Sequence, residues 1–413
     1  VKFSPTRFFS SPVPRPKVLL LTLFAVPFAL GTALHGASSE ESEETLSWEE
    51  LDDLLADFDA LLGSAGETSS AAADVSPFEW DMTVELGGGY ESNPLLSTSD
   101  QPLGSGYQRT AFDGMLTGNL ASGFLTGFAY YDRRQFLESG IDPEQIALVH
   151  LGWERPTSIA TFGLESSYLF AEQVYDASTG TASTLNSGLF RQQVPAVAVS
   201  AERAWGEWNL RLEVPFAWSI FERAEDDYWE GGTRLELERR WNIWNRVGFF
   251  VEVQRLQYDS GLERDPRGFP LASQTVLALR ELRVGADWRW SSDLRRRWEL
   301  RAESWVEWKR DGDGDYYDRN RYYGRIEAHW RMGEWHLESG VTAFYLDYAA
   351  RQLNTVNQRP QWQFKYGVDV RLERSFREHW MIVTRLFANR LESNRDALNY
   401  NNEGIEAFLS RRF

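Results

Sequence analysis

Charged side chains recur at every second position through the second half of the chain. Arg211 and Glu213 begin the pattern, followed by Arg234, Glu236 and Glu238, then Arg283 and Asp287. Glu299, Arg301 and Glu303 continue it, then Arg325 and Glu327, and finally Lys365, Asp369, Arg371 and Glu373. Spacing by two places side chains on one face of an extended strand. A wet wall carrying both signs of charge can sort and orient small polar solutes. The same wall can pair Arg with Glu between neighbouring strands and simply hold itself rigid. These sixteen residues are therefore candidates for lining an aqueous pore. Lysine occurs only at Lys2, Lys17, Lys309 and Lys365, so the fixed cations are almost all arginine. A guanidinium stays charged when partly desolvated and can grip two carboxylate oxygens, which suits a confined polar space. A GC-rich genome would leave the same bias.

Other chemistry is poorly represented. Beyond the leader the histidines are His150, His329, His336 and His379, and none sits beside a serine in a nucleophile motif. No phosphate-cradling or dinucleotide loop occurs. No catalytic residue, metal site or cofactor is expected; a membrane-embedded hydrolase assembled across strands is the weakest alternative. Cysteine is absent, so disulfides and thiolate metal sites are excluded. A net charge of -18 disfavours nucleic acid as a partner. Asp311-Gly312-Asp313-Gly314-Asp315, followed by Asp318, could wrap a calcium ion, but no closing Glu follows. An acidic turn without metal is the simpler reading.

The elements that must carry the charges alternate with period two. Trp208, Leu210, Leu212, Val214, Phe216, Trp218 and Ile220 share one face of residues 207–221, opposite Arg211 and Glu213. Trp362, Phe364, Tyr366, Val368, Val370 and Leu372 do the same opposite Lys365, Asp369 and Arg371. Residues 298–309 and 322–332 repeat the pattern. Such strands run to about 12–16 residues, where soluble ones average five or six. Aromatic pairs bracket the short turns: Trp205 and Trp208, Trp241 and Trp244, Trp290 and Trp298, Trp330 and Trp335, Phe376 and Trp380. Those turns fall at one end if strands alternate in direction, which gathers the tryptophans into a girdle at a membrane interface. Aromatics make 14% of the chain although mean hydropathy is only -0.45, as expected where alternate residues alone touch lipid. No helical span of eighteen apolar residues occurs beyond the first 40 positions.

The fold class that follows is all-β: a closed antiparallel transmembrane barrel over residues 79–413. Segments near 79–92, 107–119, 123–137, 144–155, 158–173, 187–204, 207–222 and 227–241 supply eight strands. Segments near 245–258, 274–290, 296–310, 318–332, 334–349, 361–376, 378–392 and 400–413 supply eight more. Sixteen is the central count, with fourteen or eighteen open. Connections alternate between short and longer, and none is long enough to be an obvious folded constriction. Any narrowing is expected from side chains or from an upstream helix.

Upstream, residues 1–17 carry Lys2, Arg7, Arg15 and Lys17 and no acid. The apolar run Val18 to Leu30 and small residues at Gly31-Thr32-Ala33 and Gly36-Ala37 complete a signal peptide over 1–37. Residues 38–78 hold twelve Asp or Glu and no Lys or Arg, forming an acidic periplasmic segment. Ser47-Trp48-Glu49-Glu50 has capping-box form. Trp48, Leu51, Leu55, Phe58 and Leu62 then repeat at helical spacing, with Gly63 as the stop. The helix near 47–62 could plug the barrel, pair with a second copy, contact a periplasmic partner, or lie loosely on an acidic tether.

Two segments carry a resemblance. Gly404 to Phe413, with Ile405, Ala407, Leu409 and the terminal Phe413, resembles the signal that outer-membrane proteins present to the barrel-assembly machinery. Arg411 and the small Ala407 depart from it. Gly89-Tyr90-Glu91-Ser92-Asn93-Pro94 looks like the first-strand motif of several Gram-negative porin-like barrels. The resemblance implies the outer membrane of a Gram-negative bacterium, outer-membrane lipid and the assembly machinery as partners, and passive diffusion of small polar solutes. The alternative is a barrel that anchors or exports within a secretion or surface-assembly system.

Overall fold

The computed structural model describes residues 78–97, 102–120, 123–176, 187–222, 224–242, 244–292, 297–352, 359–377, 379–395 and 398–413. The expected signal peptide over 1–37 and the helix near 47–62 lie outside them. Among the described residues sixteen strands close into one antiparallel barrel, each bonded to its chain neighbours and the first to the last.

The strands are β1 Phe78–Glu91, β2 Ser105–Leu120, β3 Gly123–Phe136, β4 Glu144–Pro156, β5 Thr161–Asp176 and β6 Ser187–Trp205. β7 Trp208–Phe221, β8 Tyr228–Asn242, β9 Asn245–Leu262, β10 Val276–Ser291 and β11 Trp298–Arg310 follow. β12 Arg319–Met332, β13 Trp335–Gln352, β14 Pro360–Arg377, β15 Trp380–Ser393 and β16 Tyr400–Arg412 complete the cylinder. The sixteenfold count expected from periodicity is the count found. The largest boundary differences fall at loops: β5 starts later because Thr157 and Ala160 close a turn between their backbones, and β9 runs on to Leu262.

Two-residue turns are possible where glycine takes a left-handed backbone. Gly206 and Gly333, at φ +62° and +61°, let Trp205 face Trp208 and Met332 face Trp335 across their hairpins. The seam pairs Thr83 with Arg412 through Glu91 with Gly404. Beyond it the Phe413 amide donates to the Met82 carbonyl (2.8 Å), and Arg412 pairs with Asp81. Both chain ends of the barrel therefore sit at the short-turn end.

The apolar face of each strand points outward. Val197 and Val199, Leu212 and Val214, Val251 and Val253, and Ile405 and Leu409 are all exposed although they lie mid-sheet. Aromatics gather at two levels. Trp205, Trp208, Trp241, Trp298 and Trp335 are exposed beside the short turns. Trp218, Trp229, Trp308, Tyr322 and Tyr345 are exposed nearer the long loops. Ten residues of strand separate Trp208 from Trp218 and Trp298 from Trp308. At ~3.3 Å per residue and a tilt of ~40° that is roughly 25 Å, the height of a barrel's apolar band. Arg411 departs from the resembled terminal pattern, and its guanidinium lies over the Phe413 and Trp380 rings (4.4 and 5.2 Å), where an interfacial cation can remain wet.

The outward band generates a prediction. Val251→Arg should destabilise the barrel folded in lipid vesicles by about 2–4 kcal/mol in denaturant titrations. A change below about 0.5 kcal/mol would place Val251 away from hydrocarbon.

Candidate functional site: the charged barrel interior

All sixteen candidate residues lie on the face opposite the exposed apolar positions. Apart from Glu238 and Glu299, which are buried, they are half-buried. Most are matched with an opposite charge. Arg211 reaches Glu213 (3.0 Å) and, across β6, Glu165 (2.6 Å). On β6 the positions in register with Glu165 and Glu213 are the small Ala198 and Ser200, which leave room for that reach. Arg234 stands 3.9 Å from both Glu236 and Glu252. Glu238 holds Arg246 (2.8 Å), which also faces Asp287 (3.7 Å). Arg283 binds Glu281 (3.0 Å) and Glu307 (3.2 Å). Glu299 is shared by Arg301 (2.8 Å) and Arg289 (3.2 Å). Glu303 sits in register between Asp287 and Arg325, and Arg325 binds Glu327 (2.6 Å). Asp369 pairs with Arg385, and Arg371 with Glu373 (2.7 Å). Lys365 lies over the Phe344 ring (5.8 Å). Pairing within strands at a spacing of two, together with pairing across neighbouring strands, thus occupies most of the wall's charge.

Periodicity on β7–β14 did not extend to a second network near the seam. Arg109 on β2 joins Glu85 on β1 (3.1 Å) to Asp132 on β3 (2.8 Å). Arg134 on β3 holds Glu91 (2.8 Å) and Glu406 on β16 (3.1 Å). The Tyr107 hydroxyl donates to Glu406 (2.6 Å). Phe408 lies between the guanidiniums of Arg109 (4.7 Å) and Arg371 (5.5 Å). These long reaches cross β1, whose inward positions Gly87 and Gly89 present no side chain. A Cβ on Gly87 would stand 2.2 Å from the Ala407 carbonyl oxygen, so the neighbours fill that space instead.

The interior is divided along its length. Apart from Lys365, near the long-loop end of β14, the candidate charges lie from mid-strand to the short turns, and all but the buried Glu238 and Glu299 keep partial access to water. Toward the long loops the inward residues are closed off. Glu307, Arg321 and Glu406 are 0%, 1% and 1% exposed, among aromatic side chains. Trp305 stacks on Tyr323 at 4.7 Å, and Arg321 lies over Trp305 (5.1 Å) and Phe344 (4.7 Å). Arg283 covers Trp305 and Arg234 covers Phe250 (4.7 and 4.4 Å). Three apolar clusters extend this layer to the loop ends, around Phe344 and Tyr400, around Tyr107 and Phe136, and around Phe221 and Tyr228.

Residues 92–97 pack against the barrel interior. Glu91, Asn93, Pro94, Leu95 and Ser97 are buried. Leu95 packs in the Tyr107 cluster, and Leu96 packs against the Tyr400 cluster. Asn93 anchors the tuck. Its side-chain amide donates to the Ser97 and Asn401 carbonyls (2.8 and 3.1 Å), and its Oδ1 accepts from the Ser97 amide (2.8 Å). Its own amide donates to Asn402 Oδ1 (3.1 Å). Ser92 and Glu403 exchange hydrogen bonds of 2.8 Å. The Tyr-Glu-Ser-Asn-Pro stretch thus turns the chain inward off β1. This connection was expected to be one of the longer ones; side-chain anchoring, which has no period to read, brings residues 92–97 inside.

The acidic turn at 311–318 satisfies itself. Asp311 accepts from the Asp315 and Tyr317 amides (2.7 and 3.1 Å), and Asp318 accepts from the Asp311 amide (2.8 Å). Its carboxylates serve the loop's own backbone, as in an ordinary turn. Burial pushes the Asp311 carboxyl above the usual aspartate range.

No protein-family model matches the chain, and no curated protein is similar. Among solved structures it is similar to an anion-selective porin from Comamonas acidovorans at 10% identity. That match covers 81% of this chain and 99% of that one with a TM-score of 0.40. OmpT, an outer-membrane protein of Vibrio cholerae, matches at 10% identity over 82% and 100% of the two chains, TM-score 0.41. OpdQ of Pseudomonas aeruginosa matches at 8% identity over 82% and 99%, TM-score 0.40. These neighbours are Gram-negative outer-membrane β-barrels.

The anchored loop generates a prediction. Asn93→Ala should cost about 1–3 kcal/mol in denaturant unfolding, because the Ser97 amide and the Ser97 and Asn401 carbonyls lose their side-chain partner. The same variant should be cut faster within 92–104 by added protease. Unchanged stability and cleavage would mean that Asn93 does not hold the loop.

Proposed function

We propose that this chain is an outer-membrane channel for passive diffusion of small polar solutes, its pore lined by the sixteen candidate residues. The observation that carries the reading is a closed sixteen-strand cylinder with an apolar outside and a charged, partly wet inside. Barrels of this size leave an aqueous channel when side chains do not fill them. The short-turn end faces the periplasm and the long loops face outward, as is general for such barrels. Solutes would meet the charged wall on the periplasmic side and the aromatic-arginine layer toward the long loops. Since both signs of charge are largely paired, the wall favours polarity over one sign of ion. Outer-membrane lipid surrounds the barrel, and the strand ending in Phe413 is its contact with the assembly machinery. A periplasmic partner would engage residues 47–62.

The buried clusters at the loop end favour a second reading: a closed barrel that anchors or exports, opened only by a partner. Single-channel recording in planar bilayers separates the two. The channel reading expects stable open steps from the full chain after export. It also expects conductance at least twofold higher in the Leu95→Ser, Leu96→Ser double variant. Steps seen only after deletion of residues 38–78 would assign the plug to that segment. No steps from any folded form would overturn the channel and leave the anchor.

A further inference from the structure

Two histidines that are far from any motif in sequence meet on the inner wall of the β12–β13 hairpin. His329 lies in register with Glu338, and His336 with Arg331, so both rings point inward near the short-turn end. The rings lie parallel, 6.0 Å apart with an interplanar angle of 23°. His329 Nδ1 is 3.2 Å from Glu338 Oε1, and His336 Nε2 is 3.5 Å from the same oxygen. One ligand atom from each of His329, His336 and Glu338 lies within 4.8 Å of the others. Donors bound at 2.0–2.1 Å to a tetrahedral zinc ion stand about 3.3 Å apart. The two spacings to Glu338 bracket that value.

A second observation points the same way. His336 Nε2 is buried and has no hydrogen-bond partner. Its other nitrogen, Nδ1, is 3.1 Å from Glu373 Oε2. Glu373 is in turn held by Arg371 (2.7 Å). Carboxylate to imidazole to vacant nitrogen is the arrangement that fixes a metal-binding tautomer from the outer shell. Two imidazoles with a carboxylate suit a borderline divalent ion such as zinc, and not calcium or magnesium.

We infer that His329, His336 and Glu338 form a binding site for a divalent transition-metal ion on the periplasmic half of the lumen wall, with Glu373 orienting His336. His329 binds through Nδ1, His336 through Nε2 and Glu338 through Oε1, and the fourth position faces the lumen. The ion binds with its ligands deprotonated and links β12 to β13. This site stands apart from the channel reading, because it needs only the folded hairpin in the barrel.

The test is metal titration of the full chain, purified in detergent and stripped with a chelator. Calorimetry should give one zinc ion per chain, and cobalt(II) should develop the visible absorption bands of a four-coordinate site. His336→Ala should abolish the bands and weaken zinc at least tenfold. Glu373→Gln, which touches no ligand position, should weaken zinc roughly 10–100-fold while keeping the bands at saturation. Heat-modifiable gel mobility checks that each variant barrel is folded, and Glu373→Gln carries the test if His336→Ala is not. Absence of zinc binding, or equal affinity in a folded variant, overturns the site.

Discussion

Every backbone amide and carbonyl of a strand in hydrocarbon must find a partner, because no water can substitute for one. That requirement makes the β1–β16 seam the contact on which the rest of the molecule depends. Thr83 to Glu91 must meet Gly404 to Arg412 in one register, or the sheet keeps two open edges. The register also fixes the interior. It places Phe408 between Arg109 and Arg371, and it sets Glu406 within reach of Tyr107 and Arg134. A slip by one residue would turn Ile405 and Leu409 inward and drive Glu406 into lipid.

With closure secured, the inner wall becomes an electrostatic problem of its own. Arginines bridge two or three strands wherever small residues leave room, as Arg211 does over Ala198 and Arg134 does over the glycines of β1. Phe250 uses the same device, lying over Gly285, where a Cβ would stand 2.5 Å from its ring. Most charges toward the short turns are paired and half-buried. Those toward the long loops are paired, buried and covered by aromatic rings. The barrel interior thus carries half-buried charge toward one end and a packed layer toward the other, with Leu95 and Leu96 packed on that layer.

The fold was written in period two, and period two was sufficient for it. Strand count, alternating loop lengths and the inward direction of Arg301 or Asp369 all follow from which residues share parity. The girdle at the short turns was visible as bracketing tryptophans. Its counterpart was also visible, in the ten-residue spacing of Trp208 to Trp218, yet it needs the strand ends to be known before that spacing has meaning. Contacts between strands distant in sequence were not readable. Nothing in Glu85 or Arg134 names its partner, because shear and glycine gaps decide which side chains meet. The inward tuck of Asn93 and the meeting of His329 with His336 belong to the same class: they depend on turn geometry and hairpin register, which composition does not encode.

The central claim is that alternate residues of each strand face lipid and water. The chain has no cysteine, so single cysteines can report it without background. Positions 300 to 304 on β11 would be replaced one at a time and exposed, in vesicles, to a membrane-impermeant thiol reagent. Reaction is expected at 301 and 303 and protection at 300, 302 and 304. Uniform reaction along the strand, or protection with no period of two, would contradict it.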